Sequence, residues 1–370
     1  MLRLRVVQAE EGDCLILECG PPTNLTRVLI DGGPETVYEE HLRGQLHEIR
    51  DAGGKVDLVV LSHVDNDHTV GLLDLMAELE ELRANNAQET IAIDAFWHNA
   101  FHRTIGRDTE IEPRLKSLWA NAGAAQATMT SAGIAVQGIS EGDRVRQAAV
   151  VLGIPINPGF ANNLVSVDGT SGPISLGDLT LRIVGPTEEN LEELRSEWLE
   201  WLDRFEDEVA DEDPSVAAMA DSSIPNLSSI MILAEAEGKK VLLTGDGRGD
   251  HLLQGLERAG LLNPEGTLHV DLLKVPHHGS DRNVTKEFFE TVTADIYVVS
   301  ANGKHDNPDL ITLKWMVEAA KKQGRAIEIF ATNQTPSTLE LVDECDPNEF
   351  GYRLTEMEEG ADSITVDVAP

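Results

Sequence analysis

The sequence predicts an α/β domain. Three observations carry that prediction. Strand-like segments stand at both ends of the chain, and from about residue 229 apolar runs alternate with helical stretches. The 370 residues are 41% hydrophobic and 25% charged, which supplies a sizeable core and excludes a wholly disordered chain. No internal repeat is visible, and residues 1–370 read as one domain with insertions.

The elements follow in order. LRLRVVQA alternates, EEGD turns, CLILEC is apolar, PPTN turns, and RVLIDGG ends on a glycine pair. From Tyr38 to about Ala52 a helix is predicted with Leu42, Leu46 and Ile49 on one face, stopped by Gly53-Gly54. VDLVVLS is a short continuous apolar run, as in a strand buried on both faces. Leu72, Leu75, Met76, Leu79 and Leu82 give a helical period from about Thr69 to Asn85, and IAIDAFW is a strand. Helical stretches are predicted near 113–132 and 141–152, and GDLTLRIVGP is a strand. Leu191, Leu194, Trp198, Trp201 and Phe205 mark an amphipathic helix, followed by an acidic tail read as disordered. Arg195 and Arg204 are the only cations between Glu188 and Asp213. Next come SSIMILAEAEG, KKVLLTGD, a helix near 249–259, HVDLLKVPHHGS, a helix near 285–293 and DIYVVSANG. A helix over 310–323, IEIFATN, and short strands at TLELVD and SITVDV complete the chain.

Charge narrows the function. Asp and Glu number 65 against 29 Lys and Arg, a net charge of −36. Such a surface repels anionic membranes and long duplex DNA over most of its area. Cys14, Cys19 and Cys345 offer neither a disulfide framework nor a thiolate metal site. The N-terminus lacks an apolar signal region, and no apolar run approaches the ~20 residues that span a bilayer. We therefore expect a soluble, cytoplasmic protein.

Chemistry concentrates after strands. Ser62-His63-Val64-Asp65-Asn66-Asp67-His68 directly follows the buried run VDLVVLS. His63 and Asp65 are two apart, so in an extended segment they point to one side. Asp67 by itself fits a helix N-cap, but two histidines and two acids together call for a metal. VLLTGD ends in Asp246, and LLKVPHHGS presents His277 and His278. Either segment alone fits turn or surface chemistry. Together they add a carboxylate able to bridge two ions and further imidazole, a nitrogen and oxygen donor set suited to zinc, manganese or iron.

These motifs resemble the metallo-β-lactamase superfamily of metallohydrolases. The likeness is nearest to the branch with the nuclease-like domain of the DNA-uptake protein ComEC. The resemblance rests on Gly12-Asp13, Ile30-Asp31-Gly32-Gly33, SHVDNDHTVG from Ser62 to Gly71, and Asn226 with Ser228-Ser229. LTGD from Leu243 to Asp246 and HHGS from His277 to Ser280 complete it. The order holds along residues 1–310, with insertions at about 100–170 and 188–224. The resemblance implies a four-layer αββα sandwich with a metal site at one edge of its two sheets. It implies that His63 and Asp65 bind one divalent ion, Asp67 and His68 a second, that Asp246 bridges both and His278 completes the second site. Asp67 and His277 would be the catalytic pair, His277 as a substrate or proton-transfer group, and Asp31 would orient the ligand loop.

Two zinc or manganese ions so held would acidify a shared water and clamp the attacking and leaving oxygens. Asp65 stands where the wider superfamily has histidine, which hardens the site towards manganese. A further superfamily histidine, expected after Gly185-Pro186, is missing. Asn226 is the nearest candidate and His98 falls early in the chain, so one ion alone need be held tightly. Lys274, Ser280 and Asn302 are candidates to hold phosphate oxygens, Lys274 equally fitting a strand-edge lysine. Asn307 replaces a histidine expected before proline, which leaves His305 without a role.

The leading reading is a phosphodiesterase or nuclease using a metal-activated hydroxide on a nucleotide or a short single strand. The alternatives are an ester, lactone or thioester hydrolase, and a non-catalytic docking module with a degenerate metal site. The acidic helix 188–208 would serve as a lid, or as a surface for a protein partner or a homodimer. Trp198 and Trp201 would then stack a base, or simply form the helix's core stripe.

Overall fold

The computed structural model describes residues 1–105, 111, 113, 114, 131–210 and 224–369. Alternation in β1 (Leu2–Val7) sends Leu2, Leu4 and Val6 into one core and Val7 into another. β2 (Leu15–Cys19) and β3 (Thr26–Ile30) are buried on both faces and pair antiparallel. β4 (Leu58–Leu61) and β5 (Phe96–His98) follow parallel to β3, and β14 (Ser363–Ala369) returns beside β1. The first sheet thus runs β14-β1-β2-β3-β4-β5.

The second sheet begins with the antiparallel β6 (Ile174–Leu176), β7 (Leu179–Gly185), β8 (Met231–Ala236) and β9 (Lys239–Leu243). It continues parallel through β10 (Leu268–Lys274), β11 (Val292–Val299), β12 (Ile327–Ala331) and β13 (Tyr352–Glu356). Its order is β13-β12-β11-β10-β9-β8-β7-β6.

Three apolar cores fill three interlayer spaces. Leu2, Leu4, Leu15 and Leu17 meet Leu181, Ile232 and Leu243 between the sheets. Helices Arg43–Asp51, Asn66–Ala84 and Ser131–Val151 cover the outer face of the first sheet. Helices Gly249–Arg258, Lys286–Thr291 and Leu310–Lys322 cover the second. The architecture is the expected αββα sandwich.

The two insertions share a small fourth core of Phe101, Ile105, Leu191, Leu194, Trp198, Trp201 and Leu227. Trp198 and Trp201 are 2% and 3% exposed, with rings edge to face at 5.6 Å. They are the core stripe of helix Glu188–Ala210, the second of the two readings offered above, and are too enclosed to stack a substrate base. The acidic tail over 211–223 and most of the helix expected at 113–132 lie outside the described residues.

TLELVD, expected as a strand, is part of helix Pro336–Glu344. Thr335 caps it in a reciprocal pair with Thr338, and Pro336 opens its first turn. Those local bonds outweigh a short β-like composition. The neighbouring strand β13 was not anticipated. No described helix is long and apolar enough to cross a membrane.

Candidate metal centre

The ligand-type residues gather where parallel strands end. β3 leads into Asp31, β4 into Ser62 and His63, β9 into Asp246, and β10 into His277 and His278. Strand ends combine a rigid scaffold with an open loop. Helix Asn66–Ala84 starts immediately after Asp65, so its first turn brings Asp67 and His68 to the same place. That helix lies tight on the IDGG turn. A Cβ on Gly71 would stand 2.0 Å from the Gly32 carbonyl oxygen, which explains a glycine at both positions.

The His277-His278 turn is strained. Both histidines occupy the left-handed region, at φ 46° and 55°, which costs roughly 1–2 kcal/mol each for L-residues. Backbone bonds hold it, from His277 N–H to Gly245 C=O at 3.2 Å and from Ser280 N–H to His277 C=O at 2.9 Å.

Four imidazole Nε2 atoms surround one oxygen. From Asp246 Oδ2 the distances are 3.9 Å to His63, 3.4 Å to His68, 3.5 Å to His277 and 3.3 Å to His278. Asp67 Oδ2 lies 3.5 Å from His278 Nε2, and Asp65 Oδ2 lies 3.6 Å from His63 Nε2. Asp67, His68, Asp246 and His278 offer donor atoms all within 4.8 Å of one another.

Each ring is held from behind. His68 Nδ1–H donates to Asp31 Oδ2 at 2.9 Å, and His278 Nδ1–H to the Ser300 carbonyl at 2.8 Å. Ser62 Oγ–H donates to Asp31 Oδ2 at 2.6 Å, so its oxygen accepts from His63 Nδ1–H at 3.0 Å. His277 Nδ1–H donates to Asn283 Oδ1 at 2.6 Å. With every Nδ1 carrying the proton, every neutral ring turns a lone pair towards Asp246.

Nε2 of His63, His68 and His278, with Asp246 Oδ1, are buried without a hydrogen-bond partner. Lone pairs converging on a buried carboxylate need cations between them. The donor set therefore fits divalent metal, and its nitrogen and oxygen atoms suit zinc or manganese.

The titration pattern has the same cause. Burial alone would raise the Asp246 and Asp67 carboxyls, but the neighbouring histidines reverse this and hold both below the usual range. Burial would lower His278, yet Asp246 and Asp13 push it up to about 10. His68 is likewise raised by Asp246, Asp67 and Asp31 against the pull of burial.

Beneath this layer lies a buried ion pair. Lys274 and Asp13 are 0% and 1% exposed and form an ion pair. Lys274 Nζ also donates to the Gly245 carbonyl at 3.1 Å and lies 3.7 Å from Asp246 Oδ1. Burial alone would lower this ammonium, and Asp13 and Asp246 hold it above the ordinary lysine range. A side chain so enclosed supports Asp246 from below, which replaces the expectation that Lys274 touches substrate.

The remaining expected residues divide. Ser280 is buried at the end of the histidine turn. Asn302 spends its amide on Glu10 and Glu11, at 3.0 and 3.4 Å. His305 is exposed. His98 is buried and stacked on Phe96, with its backbone bonded to Asn157, apart from the converging donors. Asn226 reaches the centre, its Nδ2 3.4 Å from His277 Nε2.

Asn283 was not anticipated. Nothing in its spacing marks it, because its role exists only once the chain turns back on His277.

The family whose model matches, over residues 6–101, is the metallo-beta-lactamase superfamily. No curated protein matches the chain. Among solved structures, the metallo-beta-lactamase fold protein YhfI from Bacillus subtilis is 10% identical, with 99% of each chain covered and a TM-score of 0.42. A diphosphatase from the PhnP family is 12% identical over 99% of this chain and 98% of that one, with a TM-score of 0.35. Residues 6–101, which include Asp13, Asp31 and the ligand cluster from His63 to His68, carry the superfamily's pattern, and the chain has the metallo-β-lactamase fold.

Proposed function

We propose that the protein is a metal-dependent hydrolase acting on a small phosphodiester, such as a nucleotide or a short single strand. One observation carries the reading: four imidazole nitrogens with locked tautomers surround Asp246 Oδ2, flanked by Asp65 and Asp67. Asp67, His68, Asp246 and His278 would hold one divalent ion, and His63, Asp65 and Asp246 would hold another. Bound there, such ions supply Lewis acidity and water ionised near neutral pH.

The chain's own residues do the rest. The Asp65 and Asp67 side chains are 24% and 28% exposed, against 0% for His63 and His68, so substrate enters on the carboxylate side. Asp67, kept ionised by His68 and His278, orients an incoming water through its carboxylate oxygen. Asp31 fixes two histidine rings at once, one directly and one through Ser62. The resemblance to the ComEC-type branch supports a phosphodiester over a carbonyl substrate. The net charge of −36 supports a short substrate over a long polyanion.

The test is hydrolysis of bis(p-nitrophenyl) phosphate by metal-stripped protein after Mn²⁺ or Zn²⁺ is added back. Turnover that depends on metal and is lost in Asp67→Ala/His68→Ala is expected. Turnover of lactone or thioester substrates alone would replace the phosphodiester reading, and none on any substrate would remove the hydrolase reading.

A further inference from the structure

We infer that a cleft beside the metal centre, lined by the starts of helices Gly249–Arg258 and Lys286–Thr291, takes the nucleoside portion of the substrate. The inference rests on the phosphodiester reading above and names the part of the substrate that the metals do not hold.

The cleft has a volume of about 500 Å³, within the range of small-molecule sites. Asn283 ties it to the metal centre. This residue lines the cleft, and its side chain meets His277 Nδ1 at 2.6 Å and the Asp246 carbonyl at 3.1 Å. Arg248, also in the lining, stands two residues after Asp246. A phosphodiester at the centre therefore has a substituent within reach of the cleft.

Charge decides against an anionic occupant. The carboxylates of Glu197, Asp250, Asp281 and Glu287 line the cleft against the guanidinium groups of Arg248 and Arg282. Arg248 is already engaged: it donates to Asp250 at 3.0 Å and lies 3.4 Å from Glu193 and 3.7 Å from Glu197. Phosphate oxygens would meet net negative charge there. Glu197 belongs to helix Glu188–Ala210, so the acidic insertion contributes to the wall.

The polarity is mixed. Arg282 and Glu287 are exposed, and neither side chain forms an ion pair or hydrogen bond among the described residues. The first offers only donors and the second only acceptors. A nucleoside answers both, with ring nitrogens and carbonyl oxygens for the guanidinium and amino or hydroxyl groups for the carboxylate. A quaternary ammonium would satisfy the carboxylates but be repelled by Arg282. Leu253, Val284 and Phe288 add apolar surface for a flat ring to cover.

The first test needs neither metal nor turnover. Metal-stripped protein is titrated by calorimetry with each common nucleoside and with choline. Binding of at least one nucleoside at millimolar concentration or below is expected. Leu253→Trp, which fills the cleft, and Arg282→Glu, in an exposed turn, are expected to weaken it about ten-fold or more. The second test uses metal-loaded protein. It compares kcat/KM for bis(p-nitrophenyl) phosphate with that for the p-nitrophenyl ester of the tightest-binding nucleoside 5′-phosphate. Wild type is expected to favour the nucleoside ester about ten-fold or more, and the ratio to fall towards one in both variants.

No nucleoside binding at millimolar concentration overturns the inference, as does binding that Leu253→Trp leaves unchanged. Should Leu253→Trp fail to fold, unchanged binding in Arg282→Glu overturns it instead. Choline bound in place of nucleosides overturns it in favour of a cationic substituent. A chain that binds nucleosides in this pattern yet hydrolyses no phosphodiester keeps the cleft assignment and loses the hydrolase reading. Turnover of bis(p-nitrophenyl) phosphate with no preference for the nucleoside ester does the reverse.

Discussion

Asp31 accepts three hydrogen bonds at once, from Ser62 N–H at 2.7 Å, Ser62 Oγ–H at 2.6 Å and His68 Nδ1–H at 2.9 Å. Asparagine would offer one acceptor and turn an N–H towards one of those donors. Asp31→Asn is therefore expected to lower metal affinity about 10- to 100-fold, read by competition with a chelating dye. The pH dependence follows from His278. Burial opposes its protonation, but Asp246 and Asp13 raise it to about 10 in the metal-free chain. Its contribution to metal-free stability is full below the unfolded value near 6.5 and is lost as pH rises through about 10. The same proton competes with metal, so affinity rises with pH over that window and uptake releases protons. Melting temperature with and without chelator from pH 7 to 10 checks the first claim. Binding heats in buffers of different ionisation enthalpy check the second.

At the scale of elements, close backbone approach decides where the ligands sit. The start of helix Asn66–Ala84 touches the turn after β3, with Gly71 N–H bonded to Gly33 C=O at 3.0 Å. Gly71→Ala would force the two apart. It is expected to cost about 1–3 kcal/mol in urea unfolding, and to weaken metal binding because Asp67 and His68 move with the helix. Helix Ser131–Val151 approaches the ligand loop in the same way, since a Cβ on Gly138 would lie 2.4 Å from the Val64 carbonyl oxygen. An insertion thus walls the loop, although its helix carries none of the converging donors.

At the scale of the whole molecule, the centre is assembled from both sheets, and the Lys274–Asp13 pair joins them beneath it. Asp13 belongs to the turn between β1 and β2, and Lys274 ends β10. Lys274→Met would strand a buried carboxylate, with an expected loss of about 3–5 kcal/mol by denaturant unfolding. Asp13→Asn/Lys274→Met, which neutralises both partners, is expected to recover most of it. The net charge of −36 also acts at this scale. Raising salt is expected to increase kcat/KM for an oligonucleotide more than for bis(p-nitrophenyl) phosphate, because screening relieves repulsion that grows with substrate charge.

Local chemistry made much of this legible in advance. Apolar runs that end in SHVDNDH, LTGD and HHGS announce strands that deliver ligands, because period and composition are properties of a few adjacent residues. The exception, TLELVD, failed for the same reason: its cap pair, Thr335 and Thr338, outweighs what the apolar positions suggest. Convergence is different. That Lys274 lies under Asp246 and that Asn283 meets the ring of His277 are facts of the folded chain. The sequence by itself determined the α/β class, the acidic surface and the kinds of donor atom. The tertiary structure alone decided which of those donors share one oxygen, because tautomers and buried charge are set by contacts across two sheets.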